Sequence, residues 1–136
     1  MPNATFWKSF GVYTVLTMAC AAGWHLGLFP GVYAAANMRR EPLIHLGMFS
    51  VLIQAAIVSW LYPRVRGNGA PLAEGAKFGL LIGLLIGSYG VLAEAGKFDV
   101  GPLGQWLVYE GTYFLLQFTL VGAVLGWVHG RPARDA

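Results

Sequence analysis

The chain has 136 residues, of which 57% are hydrophobic and only 11% are Asp, Glu, Lys or Arg, against roughly 25% charged residues in an average soluble domain. That composition excludes a disordered chain, a coiled coil and an ordinary soluble enzyme. The formal net charge of +3 is no nucleic-acid signal, because the basic residues are scattered at the ends of apolar runs, where positive charge sets membrane orientation.

No Asp, Glu, Lys or Arg occurs from Ser9 to Met38, from Pro42 to Pro63, from Phe78 to Ala93, or from Gly111 to Gly130. Each run approaches or exceeds the roughly 20 apolar residues a helix needs to cross about 30 Å of hydrocarbon. The pattern predicts an all-α integral membrane protein, a single domain over residues 1–136, with four transmembrane helices in an up-down-up-down antiparallel bundle.

The first span covers about residues 9–29 and stops at Pro30-Gly31, since proline cannot continue the hydrogen-bond ladder. It is longer than the roughly 7–15 apolar residues of a signal peptide, and only Lys8 precedes it, so it reads as a retained helix. The second span, about 42–63, opens on Pro42 and closes near Tyr62-Pro63. The third covers about 75–97 and the fourth about 103–129; the fourth exceeds a straight crossing and should tilt or protrude. Lys8, Arg64, Arg66, Lys77, Arg131 and Arg134 fall on the side of the termini, and Arg39, Arg40 and Lys97 on the other. That excess predicts both termini in the cytoplasm of a bacterial inner membrane. Trp7, Trp60, Trp106 and Trp127 near the span ends fit an interfacial aromatic belt.

Gly75, Gly79, Gly83 and Gly87 recur every four residues, and Gly90 and Glu94 continue that side of the third span. A row of glycines lets a neighbouring backbone approach closely, the main packing device within a bilayer. It predicts a helix contact, with a homodimer seam or a flat ligand as the other uses. Gly122 and Gly126 read as a second, weaker small-residue contact.

Glu94 and Glu110 are the two acidic residues that enter the spans, and ionisable groups there are costly and usually paired. Glu94, near a span end, also has the bland reading of a carboxylate bonded to Lys97. Glu110, Tyr113 and Gln117 share one face of the fourth helix and must meet something polar. His25 lies about one turn before the end of the first span, on a face with Thr14, Met18 and Ala21, and His45 about one turn into the second. His129 reads as a favourable cation at a helix C-terminus. Gln54 lies about 180° around its helix from His45 and is expected to bond across another seam or with Ser50.

In the up-down topology His25, His45, Glu94 and Glu110 come one from each helix at one depth. Two imidazoles and two carboxylates could bind a divalent metal, form a proton relay, or make a polar pocket roofed by Tyr33, Asn37 and Tyr109. The sequence itself requires no cofactor. Cys20 is the only cysteine, which excludes an intrachain disulfide and a thiolate zinc cluster. No P-loop, zincin His-Glu pair or Cys-x-x-Cys is present, and no catalytic residues are assigned.

In size the chain resembles small four-span bacterial membrane proteins, among them the small multidrug-resistance transporters. Those carry a membrane-embedded glutamate in the first helix, and the first span here has none. No residue roles carry over. The sequence therefore favours a noncatalytic accessory, assembly or scaffold component, in contact with lipid and with a membrane-protein partner or further copies of itself. One alternative is a small metal, proton or compact-solute binding or transport protein using the His/Glu cluster, with Glu110 as the coupling carboxylate. The other is a haem-binding redox or lipid-modifying enzyme, with the two histidines as axial ligands.

Overall fold

A computed structural model describes residues 2–36, 41 and 43–130, and within them every regular element is a helix. Helix α1 (Ala4–Ala21) runs without a break into a π-helical segment, Ala22–Leu28. A short helix α2 (Pro30–Ala35) follows, then α3 (Ile44–Val65), α4 (Pro71–Gly87) with its own π-helical continuation Ser88–Ala93, and α5 (Leu103–His129). Four stretches, Ala4–Leu28, Ile44–Val65, Pro71–Ala93 and Leu103–His129, are long and apolar enough to cross a membrane. Asn37, Arg39, Arg40, Pro42, Arg131 and Arg134, which entered the expectations on orientation and pocket, lie outside the described residues.

Local chemistry explains the boundaries. The Asn3 side chain accepts the Phe6 N–H at 2.9 Å and caps α1. Pro30 and Pro71 occupy first-turn positions, where the missing N–H costs nothing. The third long helix therefore starts at Pro71, four residues before the glycine row. Glu74 in its first turn accepts the Gly67 N–H at 3.1 Å, a favourable place for negative charge. Helix α3 continues two residues past the expected stop, carrying Pro63 inside its last turn.

The closest packing joins α4 to α5, which run antiparallel. A methyl group added at Gly75 would strike the Gly122 carbonyl, at Gly79 the Phe118 carbonyl, and at Gly126 the Pro71 carbonyl. Farther along, a Cβ at Gly83 would lie 3.0 Å from the Phe114 carbonyl oxygen and one at Gly90 2.8 Å from the Phe114 ring. Gly122 and Gly126 are thus the opposite wall of the same seam rather than a separate contact. Backbone-to-backbone approach of this kind forfeits side-chain burial and gains dispersion along the whole helix length.

Helix α1 packs between α3 and α5, burying Ser9, Tyr13 and Thr17 at a spacing of four. Tyr13, Ala55, Val58, Tyr62, Phe78, Phe118, Val121 and Leu125 form the main core. A smaller core of Val91, Val100 and Trp106 closes the end near α2. There the left-handed Gly101 (φ 76°) turns the α4–α5 connection, held by Asp99 Oδ1 accepting its N–H at 3.0 Å. The start of α3 is different: residues 43–50 are all exposed.

Candidate functional site

The feature that organises the α2 end of the bundle is Glu110, 8% exposed on α5. Its Oε1 lies 3.5 Å from His25 Nε2, and its Oε2 accepts the Tyr33 hydroxyl at 2.5 Å. The carboxylate is held by α1's π-helical continuation on one side and by α2 on the other. Proline at the first turn starts α2 directly after the π segment, and α2 carries Tyr33 to Glu110.

The π-helical segment explains why His25 reaches this position. Continued as an α-helix, α1 would place His25 in line with Thr14, Met18 and Ala21, as the sequence spacing implies. The buried row of α1 is instead Ser9, Tyr13 and Thr17. The wider π turn over Ala22–Leu28 changes the helical phase and brings His25 toward α5, while Trp24, seven residues from Thr17, also meets Tyr113. Such turns are frequent at functional sites. The second π segment also carries a side-chain contact: the Val91 carbonyl within it accepts the buried Trp106 indole N–H at 3.2 Å.

Aromatic rings fill the surroundings. The His25 ring meets Tyr33 edge-on at 4.3 Å and Tyr113 at 4.5 Å between centroids. Phe29 packs on Trp24 and on Tyr109, each at 4.6 Å. These rings cover the His–Glu–Tyr group on the protein side, and a charge-assisted hydrogen bond in such surroundings is stronger than in water.

Glu110, Tyr113 and Gln117 are all buried on one face of α5. Opposite them, Trp24 Nε1 and Thr17 Oγ1 are buried without a hydrogen-bond partner among the described residues, and so is Gln117 Oε1. The polar row then ends. Val121 and Leu125, each 1% exposed, continue the face of α5 as apolar core. Beyond them, His129 Nε2 bonds Ser9 Oγ at 2.9 Å and its ring meets Tyr62 edge-on. His129 is thus a cross-helix hydrogen-bonder as well as a helix-end residue.

The four residues expected at one depth do not assemble as a tetrad. Among the described residues, no three His, Cys, Asp or Glu side chains form a group able to hold a metal ion. His25 and Glu110 pair. Glu94 is half-buried just past the third long stretch, within electrostatic reach of Glu110. Its expected partner Lys97 turns instead to Tyr89, donating to the hydroxyl at 3.2 Å and lying 4.7 Å over the ring. His45 is exposed on the uncovered start of α3 and makes no hydrogen bond or ion pair among the described residues. Gln54 accepts the Tyr13 hydroxyl at 2.8 Å across the α1–α3 seam and donates to Ser50 at 3.2 Å.

Tyr33 is the partner that sequence spacing placed only as a roof. Trp24 was not singled out at all, although its spacing of seven from Thr17 and eleven from Tyr13 places it on the same helical face. Comparison of the chain with protein-family models, curated proteins and solved structures finds no match.

Proposed function

We propose that the chain is an integral membrane protein whose His25–Glu110–Tyr33 centre takes up and releases a proton. The four long helices would alternate in direction across a bacterial inner membrane, with both termini cytoplasmic, as the Lys/Arg excess on that side favours. The observation that carries the proton reading is the pairing of a nearly buried carboxylate with a histidine 3.5 Å away, roofed by a tyrosine hydroxyl. An ionisable residue within a span is by default a functional one, and histidine is the side chain whose charge changes most readily near neutral pH.

Packing separates the proton from the other candidates. A compact solute needs room, and the rings of Trp24, His25, Phe29, Tyr33, Tyr109 and Tyr113 occupy the surroundings of Glu110. A divalent metal would find one imidazole and one carboxylate there. A proton needs neither a cavity nor a third ligand. The apolar stretch at Val121 and Leu125 favours exchange with one side only, so the role is a protonation-linked step rather than conduction.

Its test is potentiometric proton uptake by the purified protein between pH 5 and 8, compared with Glu110→Gln. The expected result is a smaller uptake by Glu110→Gln than by the parent; identical uptake curves would remove the proposal.

A second reading has its own support. The exposed residues 43–50 carry Ile44, Leu46, Met48 and Phe49 with His45 on a stretch left uncovered by the described residues. A partner membrane protein seated on that segment would make the chain an accessory or scaffold component. Crosslinking from position 48 in intact membranes tests it: a discrete heteromeric product supports a partner, and crosslinks to lipid alone oppose it.

A further inference from the structure

The end of the bundle opposite Glu110 carries a groove of about 820 Å³ between the start of α1 and the last turns of α3. Its wall includes Ser59, Trp60, Arg64 and Arg66, with Phe6 and Ile57 on its apolar side. We infer that this groove seats the phosphate of an anionic phospholipid, with the acyl chain lying along α3; this rests on the membrane-spanning reading above.

Three observations converge on that chemistry. First, the two guanidinium groups are held in place by carbonyls and not by carboxylates. Arg66 Nη1 donates to the Gly130 carbonyl at 2.7 Å and to the His129 carbonyl at 3.3 Å. Arg64 Nη1 turns back to the Trp60 carbonyl, and its guanidinium lies 4.1 Å over the Trp60 ring. Neither forms an ion pair among the described residues. A guanidinium has five N–H donors in a fixed fork, so each retains donors for a phosphate oxygen. Second, Ser59 is 1% exposed, and its hydroxyl is buried in the groove wall without a partner among the described residues. A buried hydroxyl left unpaired is costly, and a phosphate oxygen would satisfy it. Third, the groove continues onto lipid-compatible surface. Ile57 and Ile53 are 54% and 46% exposed along α3, and Trp60 and Trp7 stand exposed at the same end, where indole rings favour the headgroup level. A soluble phosphate would gain nothing from that apolar continuation.

The test uses the full chain in mild detergent, with native mass spectrometry reading retention of phosphatidylglycerol against phosphatidylcholine of the same acyl chains. The expected result is a preference of at least about fivefold for the anionic lipid, reduced about fivefold in Arg64→Gln, the size of one basic group at an anionic surface. Arg64 is exposed, so its melting temperature without lipid should match the parent; Ser59→Ala, which removes only the hydroxyl, should also weaken retention. Equal retention of the two lipids, or an unchanged preference in Arg64→Gln, would overturn the assignment. Inorganic phosphate binding with the same Arg64 dependence, without phosphatidylglycerol binding, would assign the groove to a soluble anion and overturn the lipid. Carbonate washing of membranes separates the two levels of the claim. Release into the soluble fraction removes both membrane insertion and the lipid site, whereas retention without lipid preference removes the site alone.

Discussion

His25 Nε2 and Glu110 Oε1 lie 3.5 Å apart, joining the π-helical end of the first long helix to the last. The contact exists because the π turn rotates His25 away from the face that α-helical spacing assigns to it. A carboxylate on α5 and the short helix α2 carrying Tyr33 complete the arrangement.

Tyr33→Phe removes one hydrogen bond to a charged acceptor and leaves the ring packing in place. It should destabilise the protein by about 1.5–3 kcal/mol, read as a lower melting temperature in detergent. If Tyr33→Phe melts with the parent, the short Tyr33–Glu110 contact contributes nothing to the folded state.

Gly79→Ala and Gly11→Ala should move stability in opposite directions. The added methyl at Gly79 strikes the Phe118 carbonyl, whereas nothing lies within 4 Å of a methyl at Gly11. The first should cost about 1–3 kcal/mol by forcing the helices apart. The second should gain up to about 1 kcal/mol from helix propensity. Equal effects in thermal unfolding would contradict the close approach of α4 to α5.

Gln117→Leu offers a test of the buried polar row. Gln117 is 4% exposed and its Oε1 has no partner among the described residues, so an apolar replacement of similar length should be neutral or stabilising. A loss of more than about 1 kcal/mol would mean that Gln117 is bonded in the folded protein, and the row would then be continuous polar structure.

Trp106→Phe keeps an aromatic ring and removes the N–H that reaches Val91 O at 3.2 Å. The Val91 carbonyl would be left with a lost partner in a buried setting. Amide hydrogen exchange should accelerate by about tenfold across residues 88–93, corresponding to about 1.4 kcal/mol of local stability. Unchanged exchange would show that the π segment holds without the indole.

Hydropathy alone locates the four long helices, because charge exclusion is a property of the runs themselves and needs no tertiary information. The glycine period likewise points to a close approach, but only the fold reveals that Gly122 and Gly126 form its other wall. The site was less legible for one physical reason: extrapolating helical phase assumes a constant turn. A π segment at Ala22–Leu28 breaks that assumption, so His25 faces α5 while His45, judged only by depth, stands on the exposed start of α3. Glu110 was readable as a charge inside an apolar run, and Tyr33 only as a roof over the pocket, because its direct bond to Glu110 depends on the short α2 helix after Pro30.

The proton-binding centre is tested most directly by infrared spectroscopy of the protein in lipid as pH is stepped from 8 to 5. The account predicts a pH-dependent change in the carboxyl and imidazole bands of the His25–Glu110–Tyr33 centre that is lost in Glu110→Gln and altered in Tyr33→Phe as its hydrogen bond is lost. A pH-dependent carboxyl spectrum identical in the parent and in Glu110→Gln would contradict it.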